Sequence, residues 1–532
     1  EHPAGQTTVI QSPETKQTNK WIVALTVILP TFIEVMDTSV VNVSLPHIQG
    51  SLSAGMDEAT WVLTSYLVSN AIIIPITGWL SSVFGRKRYL MFSITLFTLS
   101  SLACGAAPSL QMLIVARILQ GLGGGGLQPL SQAILLETFP QEEHGLAMAV
   151  FGMGVVLAPI LGPVVGGWIT DNWTWRWVFY INLPAGLLAI VLAFFLIHDP
   201  SYIRRARMKI DYWGLALISV GLACLQIVLD KGEREDWFAS DLIITLSIIA
   251  AAALTLFVIV ELRTKHPVVN LRVFKDKAFT AGNGIIFFGF FCLFGSFVLL
   301  PLYTQNLMGY NATWAGLVMG PGGAASLMVM PIAGALMKKG VKPRFLLSLG
   351  LIVMAFSLFL MSKFNLEAGF LHIAAPRFIQ GFGIGLFFVP LAGATYMNIP
   401  REEMGNASGI FNLIRNLGGS FGVAACATIL AQRAQFHQTF LTEHVTPYSE
   451  SLRMFASRLG EALPGHGIGS NLSDPHFLGV VYQEVLRQAN MLAFNDTFRL
   501  FAFLTIMLPP LTFFMRRAKG APPPEPIVGG MH

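Results

Sequence analysis

"RILQGLGGG" at residues 117–125 returns as "RFIQGFGIG" at 377–385, and "PQEEHG" at 140–145 returns as "PREEMG" at 400–405, both 260 residues apart. Two unrelated stretches that share one offset mark an internal duplication. Each copy carries an arginine, Arg117 or Arg377, inside an apolar run. An ionisable side chain at membrane depth is costly, and is a functional candidate by default.

The surroundings of the two arginines are those of a membrane protein. Of 532 residues 54% are hydrophobic and 12% charged, against about 25% charged in soluble domains. Apolar runs of about 20 residues, the length that crosses a hydrocarbon core of about 30 Å, recur from end to end. Charge-poor segments give fourteen spans, at 21–45, 59–81, 89–105, 110–136, 146–170, 176–197, 212–229, 242–261, 279–301, 313–337, 345–362, 370–396, 405–430 and 492–515. The repeated arginines fall in the fourth and twelfth. The fold expected is therefore all-α and polytopic, with two six-helix bundles, 21–197 and 279–515, and a linker, 198–278, that holds two inserted helices. Tails at 1–20 and 516–532 flank them.

The formal charge of +5 is spread over short loops, which speaks against a nucleic-acid partner. Alternate loops hold Arg86, Lys87 and Arg88; Arg204, Arg205, Arg207 and Lys209; Arg263, Lys265, Arg272, Lys275 and Lys277; and Lys338, Lys339, Lys342 and Arg344. The positive-inside rule places these loops, and with them both termini, in the cytoplasm. The first apolar run is too long for a signal-peptide core and reads as an uncleaved anchor behind a trimmed start. Cys104, Cys224, Cys292 and Cys426 lie singly in apolar segments, without metal-ligand spacing.

Formal motif matches fail on context. "GLGGGG" at 121–126 fits a dinucleotide fingerprint but follows no strand. "GGSFG" at 418–422 fits a nucleophile elbow around Ser420, yet the apolar spans offer only His372 as a partner base, so an intramembrane serine hydrolase is a weak alternative. No nucleotide-binding loop or zinc-protease motif is present. No cofactor or metal is expected, and energy from a bound nucleotide is not supported.

The first span carries Glu34 and Asp37, three residues apart and so on one helix face. By helical rise Asp37 lies about 12 Å, and Arg117 about 10 Å, below the outer membrane edge. At matching depth the two can pair. Because a nearby arginine lowers the proton affinity of a buried carboxylate, the pair is either a protonation switch or a static link between helices. The second half offers no acid from Ala278 to Met337, so proton coupling is expected in the first half, at Asp37 with Glu34 and Arg117. Arg415, with Asn412, Asn42 and Gln128, is a candidate for a central substrate cavity, and an arginine satisfied by carbonyls and amides is an equal reading. Glu137 reads as interfacial.

Two further stretches bear on movement. "GWLSSVFGRKR" at 78–88 joins the second and third spans through Gly78, Gly85, Arg86 and Lys87; its cations either set topology alone or form a gate that docks on acidic or helix C-terminal partners. "GVVLAPILGPVVGGW" at 154–168 carries small residues at 154, 158, 162 and 166, a stripe along which another helix approaches closely. Gly154, Gly162 and Gly166, flanked by Pro159, Pro163 and Gly167, are expected to form a bent seam between the two halves. Residues 431–490 form a polar loop with a helical stretch at "SESLRMFASRLGEAL" and a flexible "PGHGIGSN".

At these residues the chain resembles the fourteen-helix drug:proton antiporter branch of the major facilitator superfamily. "GWLSSVFGRKR" resembles its inner-loop motif, "RILQGLGGG" its fourth-helix arginine motif, "VMDTSVVNVSLP" its first-helix aspartate motif, and 154–168 its fifth-helix antiporter motif. Ser82 departs from the aspartate of the wider superfamily's loop. "LDKGEREDWFASDLI", "NATWAGL", "NLIRNLGGSFG" and the long loop before the last helix resemble the inner-membrane subunits of tripartite pumps. The resemblance implies a transporter, not an enzyme: proton-driven export of small hydrophobic drugs across a bacterial inner membrane, with a periplasmic membrane-fusion adaptor and an outer-membrane channel as partners. A proton-coupled importer on the same fold is the alternative.

Overall fold

The computed structural model describes residues 19–199, 211–446, 448–462 and 475–515. The cationic cluster at 204–209, the "PGHGIGSN" stretch and the C-terminal tail lie outside the described residues, as does most of the N-terminal tail. Among the described residues there is no strand. The helices are α1 (Lys20–Ser51), α2 (Met56–Phe84), α3 (Arg86–Ala106), α4 (Leu110–Gly124), α5 (Leu127–Thr138), α6 (His144–Asn172), α7 (Trp177–Tyr180), α8 (Asn182–Leu196), α9 (Tyr212–Lys231) and α10 (Asp241–Arg263). They continue with α11 (Lys277–Leu302), α12 (Ala312–Lys338), α13 (Pro343–Met361), α14 (Phe370–Thr395), α15 (Met404–His444), α16 (Glu450–Ala462) and α17 (Pro475–Ile506).

Fourteen segments are long and apolar enough to cross a membrane, so this is a multi-pass membrane protein. The fourth span is α4 and α5, broken at Gly125 and Gly126. Several helices begin on polar caps that satisfy the free backbone donors of a first turn. Ser109 accepts from Met112 N at 3.3 Å, Asp276 from Phe279 N at 2.8 Å and Asn311 from Trp314 N at 2.9 Å. Between α2 and α3 the chain turns at Gly85, whose φ of +87° favours glycine.

The inserted α9 sits against both halves. Thr64 of α2 bonds to Asp230, Ser420 of α15 to Gln226 at 3.2 Å, and Trp237, just after α9, to Thr428 of α15 at 2.9 Å.

Two sequence expectations are corrected here. The stripe of α6 does not form the seam between halves. A side-chain carbon added at Gly154 would meet Ile28, at Gly162 Ser39, and at Gly166 Val40, so the stripe packs on α1 inside the first half. Ser39 donates to the Pro159 carbonyl at 3.3 Å, and the helix runs on through Pro159 and Pro163. Gly167 faces open space. The seam itself uses Gly145 and Gly152, which meet Met337, Met330 and Phe388 of the second half. The reason is angular: Gly145 and Gly152 lie two turns apart on a different face of α6.

The second correction concerns 431–490. α15 continues unbroken to His444 and α17 starts at Pro475, so much of the expected loop is helix. At about 1.5 Å per residue the 41 residues of α15 reach about 60 Å, twice a hydrocarbon core. Arg433 donates to Asp496 at 2.8 Å, and His437 lies 2.8 Å from the same carboxylate. Leu441, Val445, Leu452, Ala456, Phe477, Val481 and Val485 form a separate small core there.

Candidate functional site

Arg117 and Asp37 meet, as their matching depths predict. Arg117 Nη1 donates to Asp37 Oδ2 at 2.6 Å, and neither side chain is exposed. Gln120 Nε2 and Asn182 Nδ2 donate to Asp37 Oδ1 at 2.9 and 2.7 Å. Arg117 also donates from Nε to the Val62 carbonyl at 3.0 Å and from Nη1 to Gln120 at 2.7 Å, and its guanidinium lies 4.1 Å from the Tyr66 ring centroid. The carboxylate thus holds three donors, all from α4 and α8, and every partner belongs to the first half. Ionised, Asp37 is fully satisfied; protonated, it loses the charge that holds Arg117, which is the chemistry a proton switch needs.

Glu34, one turn away on α1, has different partners. Tyr66 Oη and Asn70 Nδ2 donate to Oε1 at 3.1 and 3.0 Å, and Gln128 Nε2 donates to Oε2 at 2.6 Å. The other end of the Gln128 amide, Oε1, accepts from Arg415 Nη2 of α15. On successive turns of α15, Asn412 donates to Gln132 at 2.6 Å and Ser408 to the Pro129 carbonyl at 3.0 Å. Gln128, Asn412 and Arg415 therefore come together at the contact between halves. Asn42 does not join them and is exposed on α1.

The glycines of the fourth span make this packing possible. A side-chain carbon at Gly121 would stand 2.6 Å from the Tyr66 carbonyl, and one at Gly124 would stand 3.0 Å from the Tyr66 hydroxyl and 3.2 Å from Glu34. With hydrogen there instead, α2 presses against α4 and Tyr66 sits between Arg117 and Glu34.

The face of the bundle where α1 begins, here the N-terminal face, is closed. Gly78 of α2 lies against the backbone of Gly405 and Asn406 of α15, where an added carbon would approach to 2.6 Å. Lys338 of the second half reaches Glu143 at 3.0 Å, and Lys20 binds the same carboxylate. The 78–88 loop is docked: Arg86 Nη2 pairs with Glu137 at 2.5 Å, Lys87 N donates to Asp199 at 2.8 Å, and Lys87 Nζ bonds to the Phe194 carbonyl near the end of α8 at 2.5 Å. Glu137, next to the last residue of α5 and so near the inner end of the fourth span, pairs with Arg86 through a side chain only 7% exposed. Ser82 donates to the Trp79 carbonyl at 2.7 Å. Toward the opposite face the halves part: Gly334 lies 3.1 Å from Leu146 by the same measure, Gly316 only 3.8 Å from Val164, and Gly320 faces nothing.

In the second half, Arg377 donates to Gln380, and Gln380 donates to Ser296 at 3.0 Å. Arg377 lies 4.2 Å from the Phe297 ring centroid. Phe290, Phe294 and Phe297 follow one another on α11 at 5.5 and 5.9 Å, and Arg415 lies 5.7 Å from Phe290. Ser420 is held by Gln226, while His372 is exposed beside Phe364 on another helix.

A profile of the Major Facilitator Superfamily matches residues 27–423. The chain belongs to that superfamily. The fatty acid resistance protein FarB of Neisseria gonorrhoeae is 36% identical over 96% of this chain and 97% of its own length. The multidrug export protein EmrB of Haemophilus influenzae is 37% identical over 92% and 94%. In structure the chain is similar to the human organic anion transporter TETRAN, with a TM-score of 0.58 at 14% identity over 93% of this chain and 100% of that one, a likeness of fold.

Within this superfamily fold, sequence reasoning missed Gln120, Asn182, Tyr66, Asn70 and Gln132. Gln120 follows Arg117 by three residues and shares its face. Tyr66 and Asn70 stand four apart, and Asn182 is a lone amide before an apolar run; these were the available signals.

Proposed function

We propose that this transporter exports small hydrophobic toxic compounds across a bacterial inner membrane in exchange for protons, by alternating access between its two halves. The observation that carries the reading is the fully buried Asp37–Arg117 pair, built in one half from residues that can hold or release a proton. EmrB, a multidrug export protein, and FarB, a fatty acid resistance protein, support export and lipophilic cargo. Both termini are cytoplasmic in this reading, so the N-terminal face is the cytoplasmic one. The extended α15 and α17, with exposed Phe436, Phe440 and Tyr482, project outward to meet a membrane-fusion adaptor that leads to an outer-membrane channel.

Purified protein in proteoliposomes tests the reading. An imposed drug gradient drives protons the opposite way if the protein exchanges them, and Asp37→Asn stops the proton flux. Movement of drug and proton in the same direction makes it an importer-type symporter, and flux untouched by Asp37→Asn removes Asp37 from the coupling.

A further inference from the structure

The two carboxylates of α1 differ in reach. Every donor to Asp37 lies in the first half, so its protonation state has no direct contact with the second. Glu34, although only one turn away, is connected across the boundary: carboxylate, Gln128 amide, Arg415 guanidinium. All three are buried, at 3, 8 and 3% exposure. Arg415 has no carboxylate in ion-pair contact among the described residues, and its Nη1 makes no hydrogen bond.

We propose that Gln128 is a positioning residue that reads the protonation state of Glu34 and passes it, through Arg415, to the contact that closes the N-terminal face. The inference rests on the proton-coupled reading above and assigns the conformational step within it.

A primary amide has one donor end and one acceptor end. Opposite an ionised Glu34 its orientation is fixed: NH2 toward the carboxylate, oxygen toward Arg415. A proton that arrives on Glu34 Oε2 from the open face turns that oxygen into a donor. Gln128 can accept from it only by rotating its amide, and rotation turns the NH2 group toward the guanidinium, donor against donor. The link from α5 to α15 is then broken, and the neighbouring bonds from Ser408 and Asn412 to Pro129 and Gln132 lose their anchor. The closed face opens, and the proton leaves Glu34 there. The other charged and titratable groups around Glu34 are Tyr66 on α2, Asp37 on its own helix, Arg117 on α4, and Tyr396, the residue that follows α14, near Arg415. Tyr66 is a donor to Glu34 in either state, and Asp37 and Arg117 neutralise each other. The sequence of events matches export: protonation from the outside favours the state open to the inside.

Spin labels at Gly167→Cys on α6 and Gly320→Cys on α12, two positions with open space around them, report the separation of the halves at the opposite face. Distances are measured by pulsed electron resonance in nanodiscs from pH 5 to 9, with Cys224→Ser to remove the half-buried thiol. In the otherwise native protein, acidification shortens the distance. Gln128→Leu and Arg415→Leu, which cut the link from either side, abolish the shift. Gln128→Glu keeps an acceptor for Arg415 in every state and holds the long distance throughout. A native-size pH response in Gln128→Leu or Gln128→Glu, or no response in the native protein, overturns the proposal. Drug-driven proton flux by the native protein is recorded in parallel: its absence defeats exchange itself, whereas intact flux with an unaltered shift in Gln128→Leu defeats only the role of Gln128.

Discussion

Arg117 and Arg377 occupy equivalent places in the two halves and keep nearly the same company. Each is buried, donates to a glutamine three residues later and covers an aromatic ring, Tyr66 at 4.1 Å or Phe297 at 4.2 Å. The glutamine in turn donates to a side chain of the half's first helix. In the first half that side chain is Asp37, in the second Ser296. Duplication therefore preserved the scaffold and left the titratable group in only one copy. Arg377 makes no ion pair among the described residues, whereas one nitrogen of each guanidinium, Nε of Arg377 and Nη2 of Arg117, is without a hydrogen-bond partner. A buried charge without a counterion costs several kcal/mol, and only the Gln380 oxygen and the Phe297 ring visibly offset that cost. The second half thus carries an electrostatic strain that the first has resolved with Asp37.

The largest test of this difference is Asp37→Asn. The amide keeps the shape but not the charge, which turns the first site into a version of the second. Proton-coupled transport in proteoliposomes should fall by at least about 100-fold, the scale of a lost proton-transfer group. Thermal unfolding should also register a loss of about 3 kcal/mol, because Arg117 is left as a buried unpaired charge. Next in size is a paired substitution, Arg117→Lys against Arg377→Lys. A lysine cannot serve the Val62 carbonyl, Gln120 and Asp37 in the fixed fork of a guanidinium. Arg117→Lys should therefore lower the transport rate on the order of 10-fold, about 1.4 kcal/mol of barrier. Arg377 holds a single amide oxygen, and its lysine variant should change the rate by less than about 3-fold on the same scale. Equal losses in the two variants would mean that both sites work in coupling.

Which parts of this comparison were readable in the chain follows from what encodes them. The 260-residue offset is a linear property and gives the six-helix halves directly. The Asp37–Arg117 contact was readable because both lie at a countable distance from the same membrane edge, and apolar surroundings leave few partners. Asn182 and Gln120 were not, since an amide carries no charge to mark it and its partner lies on another helix. The α6 stripe showed that something packs closely on Gly154, Gly162 and Gly166. It could not show whether the neighbour was α1 or α12, which is a matter of helix rotation. The long polar segment misled for another reason: outside the bilayer a helix needs no apolar run, so α15 beyond residue 430 has the composition of a loop.

Ser296→Asp probes the same difference from the other side. Arg377 has already been desolvated, so a carboxylate beside it supplies the missing counter-charge, and thermal stability should rise by up to about 3 kcal/mol. In the Asp37→Asn background it should not restore proton-coupled transport, because the Ser296 position lacks the Asn182-type donor and the nearby Glu34. Restoration would show that an arginine and a carboxylate suffice in either half, and that only the loss of an acid separates the two.

The smallest effect is expected from Ser296→Ala. Ser296 Oγ accepts from Gln380 and itself donates to the Leu293 carbonyl at 2.7 Å. Without it the Gln380 NH2, which is fully buried, loses its only protein acceptor among the described residues, a cost of about 1–3 kcal/mol in stability. No protonation state is tied to that hydroxyl, so the rate of proton-coupled transport should stay within about 2-fold of the native protein, under about 0.5 kcal/mol of barrier. Melting temperature and transport rate therefore separate for Ser296→Ala and fall together for Asp37→Asn. A variant of Ser296 that lost transport as completely as Asp37→Asn would place a working group in the second half after all, with the arginine, rather than the carboxylate, as the element both halves share for coupling.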